Sequence, residues 1–354
     1  MGIGLNFTFR SPSRNHPSAH FHWGNSSISL VNTAARTLPP KRVITTKPRF
    51  SDKVFRAVVT SGGFSSLVIL GLISIFLLIN GLNTFKSEGF KFITGFEWYG
   101  PQLDAGLPAQ YGIGAMLYGT IVIGLIALFF GFPIAVGAAL FLSYYAPEWL
   151  KKPMVLVVDV MAAIPSIVFG LWGYFILMPH AEYWAKLIHK YLGFIPIFDM
   201  PAPAFSRSPF IAGLVLAIMI LPIITSISRE IFAQTPLDRI QAAYALGATK
   251  WSMIKSVVFP YGRGGVIGGA MLGLGRAIGE TVAVYTVLNI VYDINIEVLL
   301  SAGGSVASMI VNKFGEASPE EVKALMAAGF VLFLVTLFIN FLADLIINRT
   351  ARKG

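Results

Sequence analysis

The segment that decides the fold runs from Asp238 to Thr281 and reads DRIQAAYALGATKWSMIKSVVFPYGRGGVIGGAMLGLGRAIGET. Its first half is short, polar and too highly charged to lie in lipid. Its second half is a glycine-rich apolar helix that carries Arg276 and Glu280 at membrane depth. The combination indicates a loop outside the membrane that leads directly into a membrane helix.

The composition is that of a polytopic membrane protein. Hydrophobic residues make up 55% of the 354 residues, charged residues make up 12%, and the mean hydropathy is +0.71. So few polar groups cannot cover the surface of a soluble globule of this length. The chain contains no cysteine, which excludes disulfides and thiolate metal sites.

Six apolar runs are long enough to cross a hydrocarbon core, which takes about 20 residues of helix. None has the alternation of a membrane barrel strand. We therefore predict an all-α bundle of six transmembrane helices in a membrane domain over residues 57–350. The predicted spans are about 58–80, 115–142, 155–178, 209–228, 264–289 and 326–347.

The distribution of positive charge predicts the orientation. Most of the net charge of +10 lies before Ala57, where Lys and Arg face a single acid, Asp52. Lys and Arg also dominate the 143–154 loop, the 229–263 loop and the C-terminal end. By the positive-inside rule these segments, and therefore both termini, are cytoplasmic. An even number of spans agrees with this orientation.

Residues 1–56 are rich in Ser, Asn, Arg, Pro and His and show no sustained hydrophobic period. We interpret them as a disordered, basic cytoplasmic tail. Two alternatives stay open. An Arg- and Ser-rich, acid-poor leader is also typical of an organellar transit peptide, and His16, His20 and His22 form either a metal-binding tract or ordinary polar sequence.

The fifth predicted span carries a stripe of small residues. Gly265, Gly269 and Gly273 repeat every fourth residue, and at about 100° per residue Arg276 and Glu280 lie about 20° and 60° round the helix from Gly265. Small residues at this spacing let membrane helices pack closely. Because charges facing lipid are costly, we expect the stripe to face the bundle interior or a water-filled route.

Arg276 and Glu280 permit two interpretations. One is a structural i,i+4 salt bridge, whose net contribution is small because desolvation offsets the attraction. The other is an anion site, since the planar guanidinium matches the oxygens of an oxyanion bidentately. Spacing alone does not decide between them.

Two hydroxyl residues are further candidates for a substrate route. Thr281 follows Glu280 directly, although threonine in a membrane helix often bonds its own backbone. Ser166 follows Pro165, which interrupts the third predicted span and frees backbone groups. Irregular backbone at membrane depth is tolerated where it is buried or lines a cavity. An ordinary proline kink is the alternative for Ser166.

The polar first half of the segment predicts a short helix over 236–248. Pro236, Leu237 and Asp238 suit a helix start, and Gly247 suits the position just after a helix end. Its small face, formed by Ala242, Ala243 and Ala248, would let another protein approach closely. A solvated hairpin is the alternative.

This pattern resembles the EAA loop of ABC-importer permeases, the cytoplasmic helix that docks on the ATPase. The resemblance lies in Gln241, Ala242, Ala243, Leu246, Gly247 and Ala248, followed by Pro260 and Gly264. The extension from Gly273 to Thr281 narrows it to phosphate permeases, and to their C-type subunit (the PstC family). Residues 164–173 and 221–224 fit the same family, and the resemblance covers about residues 55–350. Gln241 departs from it, since these loops usually have Glu there.

The resemblance implies a MetI-like permease bundle in the bacterial cytoplasmic (inner) membrane that imports inorganic phosphate. It implies four partners: an A-type phosphate permease subunit, a dimer of ATP-binding subunits that holds ATP and Mg, an external phosphate-binding protein, and membrane lipid. It also implicates Arg276 and Glu280 in transport, where the carboxylate can accept the proton that hydrogen phosphate carries. The alternatives are a permease for another oxyanion, such as sulfate or molybdate, and a membrane-embedded lipid-phosphate transferase.

Motifs of a self-sufficient enzyme are missing from the sequence. It contains no G-x-x-x-x-G-K-[ST], H-E-x-x-H or G-x-S-x-G pattern. We therefore expect no enzymatic activity and no cofactor or metal in this chain, with ATP hydrolysis in a partner subunit. The net positive charge lies mostly in the tail, so nucleic acid is not an expected partner.

Overall fold

The computed structural model describes residues 49–100, 109–200 and 204–351. The predicted tail up to residue 48, with His16, His20 and His22, lies outside the described residues. The chain divides between Val59 and Thr60 into two units. Of the first unit, the structure describes Arg49–Val59, and the second unit contains the rest of the described fold.

Residues 50–56, which we expected in the tail, instead form the first turns of helix α1 (Phe50–Glu88). The Arg49 backbone N–H donates a hydrogen bond to the Asp52 carboxylate at 3.1 Å. A carboxylate in the first turn also interacts favourably with the helix dipole. These local contacts start the helix earlier than hydropathy predicts.

A connecting segment with short elements follows α1. It contains α2 (Lys91–Thr94) and an antiparallel pair of two-residue strands, β1 (Trp98–Tyr99) and β2 (Gln110–Tyr111), in which Trp98 pairs with Tyr111. The Trp98 indole N–H donates to a Glu321 carboxylate oxygen at 2.7 Å. The next helix, α3 (Gly114–Leu140), continues into a π-helical turn at Phe141–Tyr145.

The third predicted span is not one straight helix. It is divided into α4 (Glu148–Ala163) and a second section, α5 (Ser166–Trp172), a π-helical turn at Gly173–Leu177 and α6 (Met178–Leu192). The two sections are bent by 97°. The break lies at Ile164 and Pro165, which are both extended, because a proline drives its preceding residue out of the helical region. The predicted interruption at Pro165 is confirmed, and the single span over 155–178 stays a prediction, because the bent pair is either one broken span or a re-entrant loop.

Helix α7 (Pro209–Ala233) is the centre of the bundle. In its most apolar 18-residue stretch, 67% of the residues are buried, compared with 33% or less in the corresponding stretches of the other long apolar helices. Ser208 caps its start by accepting a hydrogen bond from the Ile211 N–H. Its neighbours α3 and α10 pack closely, since Gly131 of α3 lies against Ile220.

After α7 come α8 (Leu237–Ala245) and α9 (Lys250–Met253), a π-helical turn at Ile254–Val258, and α10 (Phe259–Ile278). From Lys250 to Ile278 these elements continue one another without a break. The fifth predicted span, 264–289, is interrupted at residues 279–281 before a short helix, α11 (Val282–Val287). The described chain ends with α12 (Val306–Phe314) and α13 (Pro319–Ala351).

Within the described ranges, four helices are long and apolar enough to cross a membrane, or five if the bent pair counts as one span. This falls short of six because α10 is rich in glycine and contains Arg263 and Arg276, which lower its hydropathy. The predicted all-helical membrane fold is confirmed. The cytoplasmic location of the termini stays a prediction.

Candidate functional site

The glycine stripe of α10 packs on a ridge of isoleucines on α7. A Cβ atom built on Gly265, Gly269 or Gly273 would lie 2.5 to 3.0 Å from a side-chain atom of an isoleucine. A larger residue at these positions would force the isoleucine side chains to move, so glycine lets the two helices pack closely. The partners are Ile231, Ile227 and Ile224 respectively. The geometry agrees with the predicted helix-packing role of the stripe.

Arg276 does not share the buried face of the glycines. Its side chain is exposed on the surface of the chain, where it lines a pocket of about 390 Å³ beside Ile223 of α7 and Thr336 and Asn340 of α13. The expectation of one narrow stripe that carries both the glycines and the charges is therefore wrong. The long arginine side chain places its charge outside the glycine contact, toward α13.

Glu280 lies beyond the end of α10 and is buried, with 9% of its surface exposed. The helix ends at Ile278, Gly279 is its C-cap, and Thr281 is the N-cap of α11. A carboxylate oxygen of Glu280 accepts a hydrogen bond from the Ala283 backbone N–H at 3.4 Å. The carboxylate therefore satisfies one of the free N–H groups at the start of α11.

Arg276 and Glu280 make no ion pair with each other. In the described part of the chain, an ion pair within 4 Å joins Lys151 and Glu148 at 3.8 Å. The helical i,i+4 geometry that the salt-bridge interpretation needs is lost because the backbone leaves the helix at Gly279. That interpretation is wrong, and the two charges remain available to other partners.

The two predicted hydroxyl residues lie near this break. The Thr281 hydroxyl donates to the Gly279 carbonyl at 3.5 Å, which is the backbone bond expected as its alternative role. Ser166 is the first residue of α5 and is half-buried.

Helices α5 and α11 run side by side in the same direction. Gly170 lies against Ala283 and Thr286, and Gly173, one turn later, lies against Val287. The starts of the two helices are therefore at the same level. The structure thus brings Ser166 and Glu280 to the same end of one helix pair.

The predicted coupling helix forms as α8. Gly247 adopts a left-handed backbone with φ +79°. Its N–H donates to the Tyr244 carbonyl at 2.9 Å, and the Ala248 N–H donates to the Ala243 carbonyl at 3.0 Å. This pair of bonds is the Schellman motif, which satisfies carbonyls at a helix end. The predicted position of Gly247 just after the helix end is confirmed.

Beside α8 lies a cleft of about 830 Å³ that leads to the start of α10. Leu246 is 90% exposed at its rim, and Gln241 and Ala242 are also exposed. Ala243 differs from our expectation of an open small face, since it is buried in a cluster with Phe232. The cleft is lined by Arg239, Ala242, Ala243, Leu246, Ala248, Ser256, Val257, Pro260, Tyr261, Arg263 and Gly264.

A contact that the sequence did not predict anchors this segment to α3 and α7. The Lys250 ammonium donates to the Tyr144 carbonyl at 2.9 Å, and the Tyr144 hydroxyl donates to the Phe232 carbonyl at 3.0 Å. Partners so far apart along the chain leave no signal in local sequence. The segment is therefore tied to the membrane bundle at its second end.

The sequence profile of the family described as "Binding-protein-dependent transport system inner membrane component" matches residues 131–353, more than half of the chain. The chain belongs to this family. The match begins within α3 and includes α8, the glycine stripe and Glu280. The predicted family is confirmed.

Curated relatives in this family are similar over nearly their whole length. "Phosphate transport system permease protein PstC 2" of Mycobacterium tuberculosis is 39% identical over 314 residues, which are 87% of this chain and 95% of that protein. "Phosphate transport system permease protein PstC" of Xylella fastidiosa is 37% identical over 306 residues, 86% of this chain and 92% of that protein. Among solved structures, an inward-facing MetNI methionine ABC transporter is similar with a TM-score of 0.48 and 16% identity, covering 66% of this chain and 94% of that chain.

Proposed function

We propose that this chain is the permease subunit of an ATP-driven importer that moves inorganic phosphate across the bacterial inner membrane. The observation that carries the proposal is the similarity to phosphate transport permeases over 95% of the length of one relative. The transmembrane helices and the buried acid at a helix break agree with a transport subunit. Both termini lie in the cytoplasm, as the positive charge predicts.

Residues 236–248, which form α8 and its C-terminal cap, are the contact with a separate ATPase. Leu246, at the rim of the cleft, is 90% exposed and offers apolar surface to a partner. The permease pair carries two copies of an ATP-binding subunit, which bind ATP and Mg on the cytoplasmic side, and one of them docks here. This chain then needs no cofactor of its own and acts as a permease rather than an enzyme.

Arg276 indicates where the A-type permease subunit packs. A charge exposed to lipid at membrane depth costs several kcal/mol. The surface around Arg276 therefore faces a protein partner or water. An A-type subunit on this α10 and α13 face would enclose a route between the two permeases, with Arg276 on its wall.

Glu280 supplies the second group of the route. A carboxylate repels an oxyanion unless one of the two carries a proton, and hydrogen phosphate carries one. Glu280 can accept that proton or share it, which favours phosphate over sulfate or molybdate. Ser166 and Thr281 lie at the same end of the paired helices α5 and α11 and line the route with hydroxyl groups. An external phosphate-binding protein delivers the substrate.

A lipid-phosphate transferase is the alternative from another class, and it would need several acidic metal ligands. Over the described residues, no group of three or more His, Cys, Asp or Glu is placed to hold a metal ion. No observation favours this alternative.

The test is ATP-dependent uptake of labelled phosphate into proteoliposomes that contain the full complex. Arg276→Gln and Glu280→Gln are compared with wild type, and assembly is checked by co-purification. Glu148→Gln and Lys151→Gln are matched controls, since they remove the same charges from an exposed pair. We expect both route variants to assemble and to lose uptake, while the controls keep it. Uptake of sulfate but not phosphate by the wild type would refute the proposed substrate.

A further inference from the structure

A pocket with both polar and apolar lining residues lies at the end of α11 opposite to Glu280. It has a volume of about 480 Å³. Among its described lining residues, Arg207 is the one with a charged side chain, and the other polar ones are neutral. Hydroxyl and amide groups donate hydrogen bonds without adding negative charge. The neutral polar residues are Tyr174, Tyr285, Thr286, Asn289 and Asn312.

The backbone fixes Arg207 in an unusual conformation. Its φ of 51° makes it the one non-glycine residue with positive φ in the described ranges. Its carbonyl accepts a hydrogen bond from the Asn289 N–H at 3.0 Å. The neighbouring Phe205 and Ser208 are buried. A left-handed conformation is unfavourable for a non-glycine residue, so this position is held by its surroundings.

The guanidinium of Arg207 is free to bind a ligand. It lies 5.8 Å from the centre of the Tyr174 ring. Throughout the residues that the structure describes, it has no ion pair within 4 Å. An arginine presents five N–H donors in a planar fork that fits two oxygens of an oxyanion. The aromatic ring positions this fork at the pocket without occupying its donors.

The pocket and Glu280 lie at the two ends of the same short helix. Tyr285, Thr286 and Asn289 of the pocket follow the Glu280 carboxylate by five to nine residues, which is about 10 Å along a helix. Ser166 and Tyr174 mark the same two ends on α5 and the turn after it. The two sites are therefore connected along the paired helices α5 and α11.

The pocket is also on the opposite side of the bundle from the coupling helix. Arg207 precedes α7 directly and α8 follows it, so the length of α7, about 37 Å, separates them. If α8 faces the cytoplasm, Arg207 faces the outside.

We propose that the Arg207 pocket is an outer oxyanion site that holds phosphate before it passes along α5 and α11 to Glu280. The direction of travel rests on the proposed function, whereas the binding of an oxyanion at Arg207 does not. Arg207 binds two phosphate oxygens, and the Tyr174 and Tyr285 hydroxyls and the Asn312 amide are the further donors. The Thr286 hydroxyl and the Asn289 amide already donate to the Ala283 and Ser301 carbonyls at 2.8 and 2.9 Å. The absence of a carboxylate among the described lining residues lets the dianion bind as well as the monoanion.

The first test needs no variant and no transport. The intact complex in lipid nanodiscs is treated with phenylglyoxal, and modification of each arginine is followed by mass spectrometry. We expect inorganic phosphate to slow the modification of Arg207 about tenfold relative to chloride at the same ionic strength. The exposed Arg56 serves as the internal control and is not protected. No protection of Arg207 by phosphate overturns the proposal.

A second arm distinguishes a free anion from a protein carboxylate. The phosphate-free binding protein is added in place of phosphate. If it protects Arg207 and inorganic phosphate does not, the arginine docks an acidic side chain of that partner, and the proposed site is wrong.

The third arm measures uptake with the binding protein saturated with phosphate. We expect Arg207→Gln to reduce uptake about tenfold and Arg207→Lys to retain part of it, since lysine keeps the charge but loses the fork. Lys186→Gln is the matched control, because Lys186 also stacks on an aromatic ring, that of Phe205, at 5.9 Å. Wild-type uptake by Arg207→Gln would exclude this residue from the route. Protection of Arg207 in a complex that imports no phosphate would instead refute the proposed function and leave the oxyanion site in place.

Discussion

The Glu280 carboxylate and the Ala283 backbone N–H are joined by a hydrogen bond of 3.4 Å across the start of α11. The acid that we propose for the substrate route thus also holds the helix break in place. Loss of uptake in a variant is informative only if these two roles are separated. The choice of substitution separates them, since glutamine keeps an acceptor oxygen and alanine does not.

Glu280→Ala should therefore lower thermal stability while Glu280→Gln should not. Loss of a cap of this kind costs about 1 kcal/mol, and we expect a fall of a few degrees in the midpoint of thermal unfolding in nanodiscs. Glu316→Ala, at an exposed acid, is the control. Equal losses for Ala and Gln would mean that the charge, not the hydrogen bond, stabilises the break.

Gly119→Ala should be among the most damaging alanine substitutions in α3. A Cβ atom at this position would collide with the Gly304 carbonyl oxygen, which is backbone and cannot move aside. We expect a loss of about 2 kcal/mol or more, read as a lower unfolding midpoint. Gly137→Ala in the same helix meets nothing within 4 Å and should be neutral or slightly stabilising. Similar midpoints for the two variants would contradict the close contact.

Gly247→Ala should weaken the association of the permease with its ATPase. Alanine at φ +79° is strained by about 1 kcal/mol, so the Schellman motif at the end of α8 opens more often. Gly315→Ala is a close match, since Gly315 also follows a helix but has φ −70°. We expect co-purification of the ATPase to fall with the first variant only. An unchanged yield for Gly247→Ala would show that docking does not depend on this helix end.

Alkaline pH should destabilise the loop after α11 through Tyr292. Burial, and to a smaller extent the Glu321 charge, raises the pKa of Tyr292 to about 12 from its usual value of 10.0. The folded protein thus holds a proton that the unfolded chain releases, and the stability present below pH 10 is lost as pH rises toward 12. Tyr292→Phe should flatten this part of the pH profile of thermal unfolding. The exposed tyrosine variant Tyr183→Phe should leave the profile unchanged, and a Tyr292→Phe profile that keeps its slope would contradict the assignment.

The sequence predicted features that depend on local chemistry. Pro165 interrupts a helix because it lacks an N–H, and Gly247 ends one because it tolerates positive φ. The glycine period predicts a packing face, since small residues let a neighbouring helix approach closely. Hydropathy also located the long apolar helices.

It did not predict features set by distant partners. The helix break before Glu280 contains no proline, and the glycine-rich apolar sequence continues through Gly279. The sequence therefore gives no sign that the helix ends there. The exposure of Arg276 depends on where α13 packs, and the burial of Ala243 depends on Phe232. The sequence does not indicate a role for Arg207, because its positive φ and its contact with the Tyr174 ring depend on the folded structure.

The unbroken helical stretch from Lys250 to Ile278 has a mechanical consequence. It is about 40 Å long, it is anchored at its first residue to Tyr144, and it ends two residues before Glu280. A rod of this kind transmits a push or a rotation at one end to the other with little loss. Its length spans a bilayer core, so a displacement at its first residue would reach the break at Gly279 and the buried carboxylate directly.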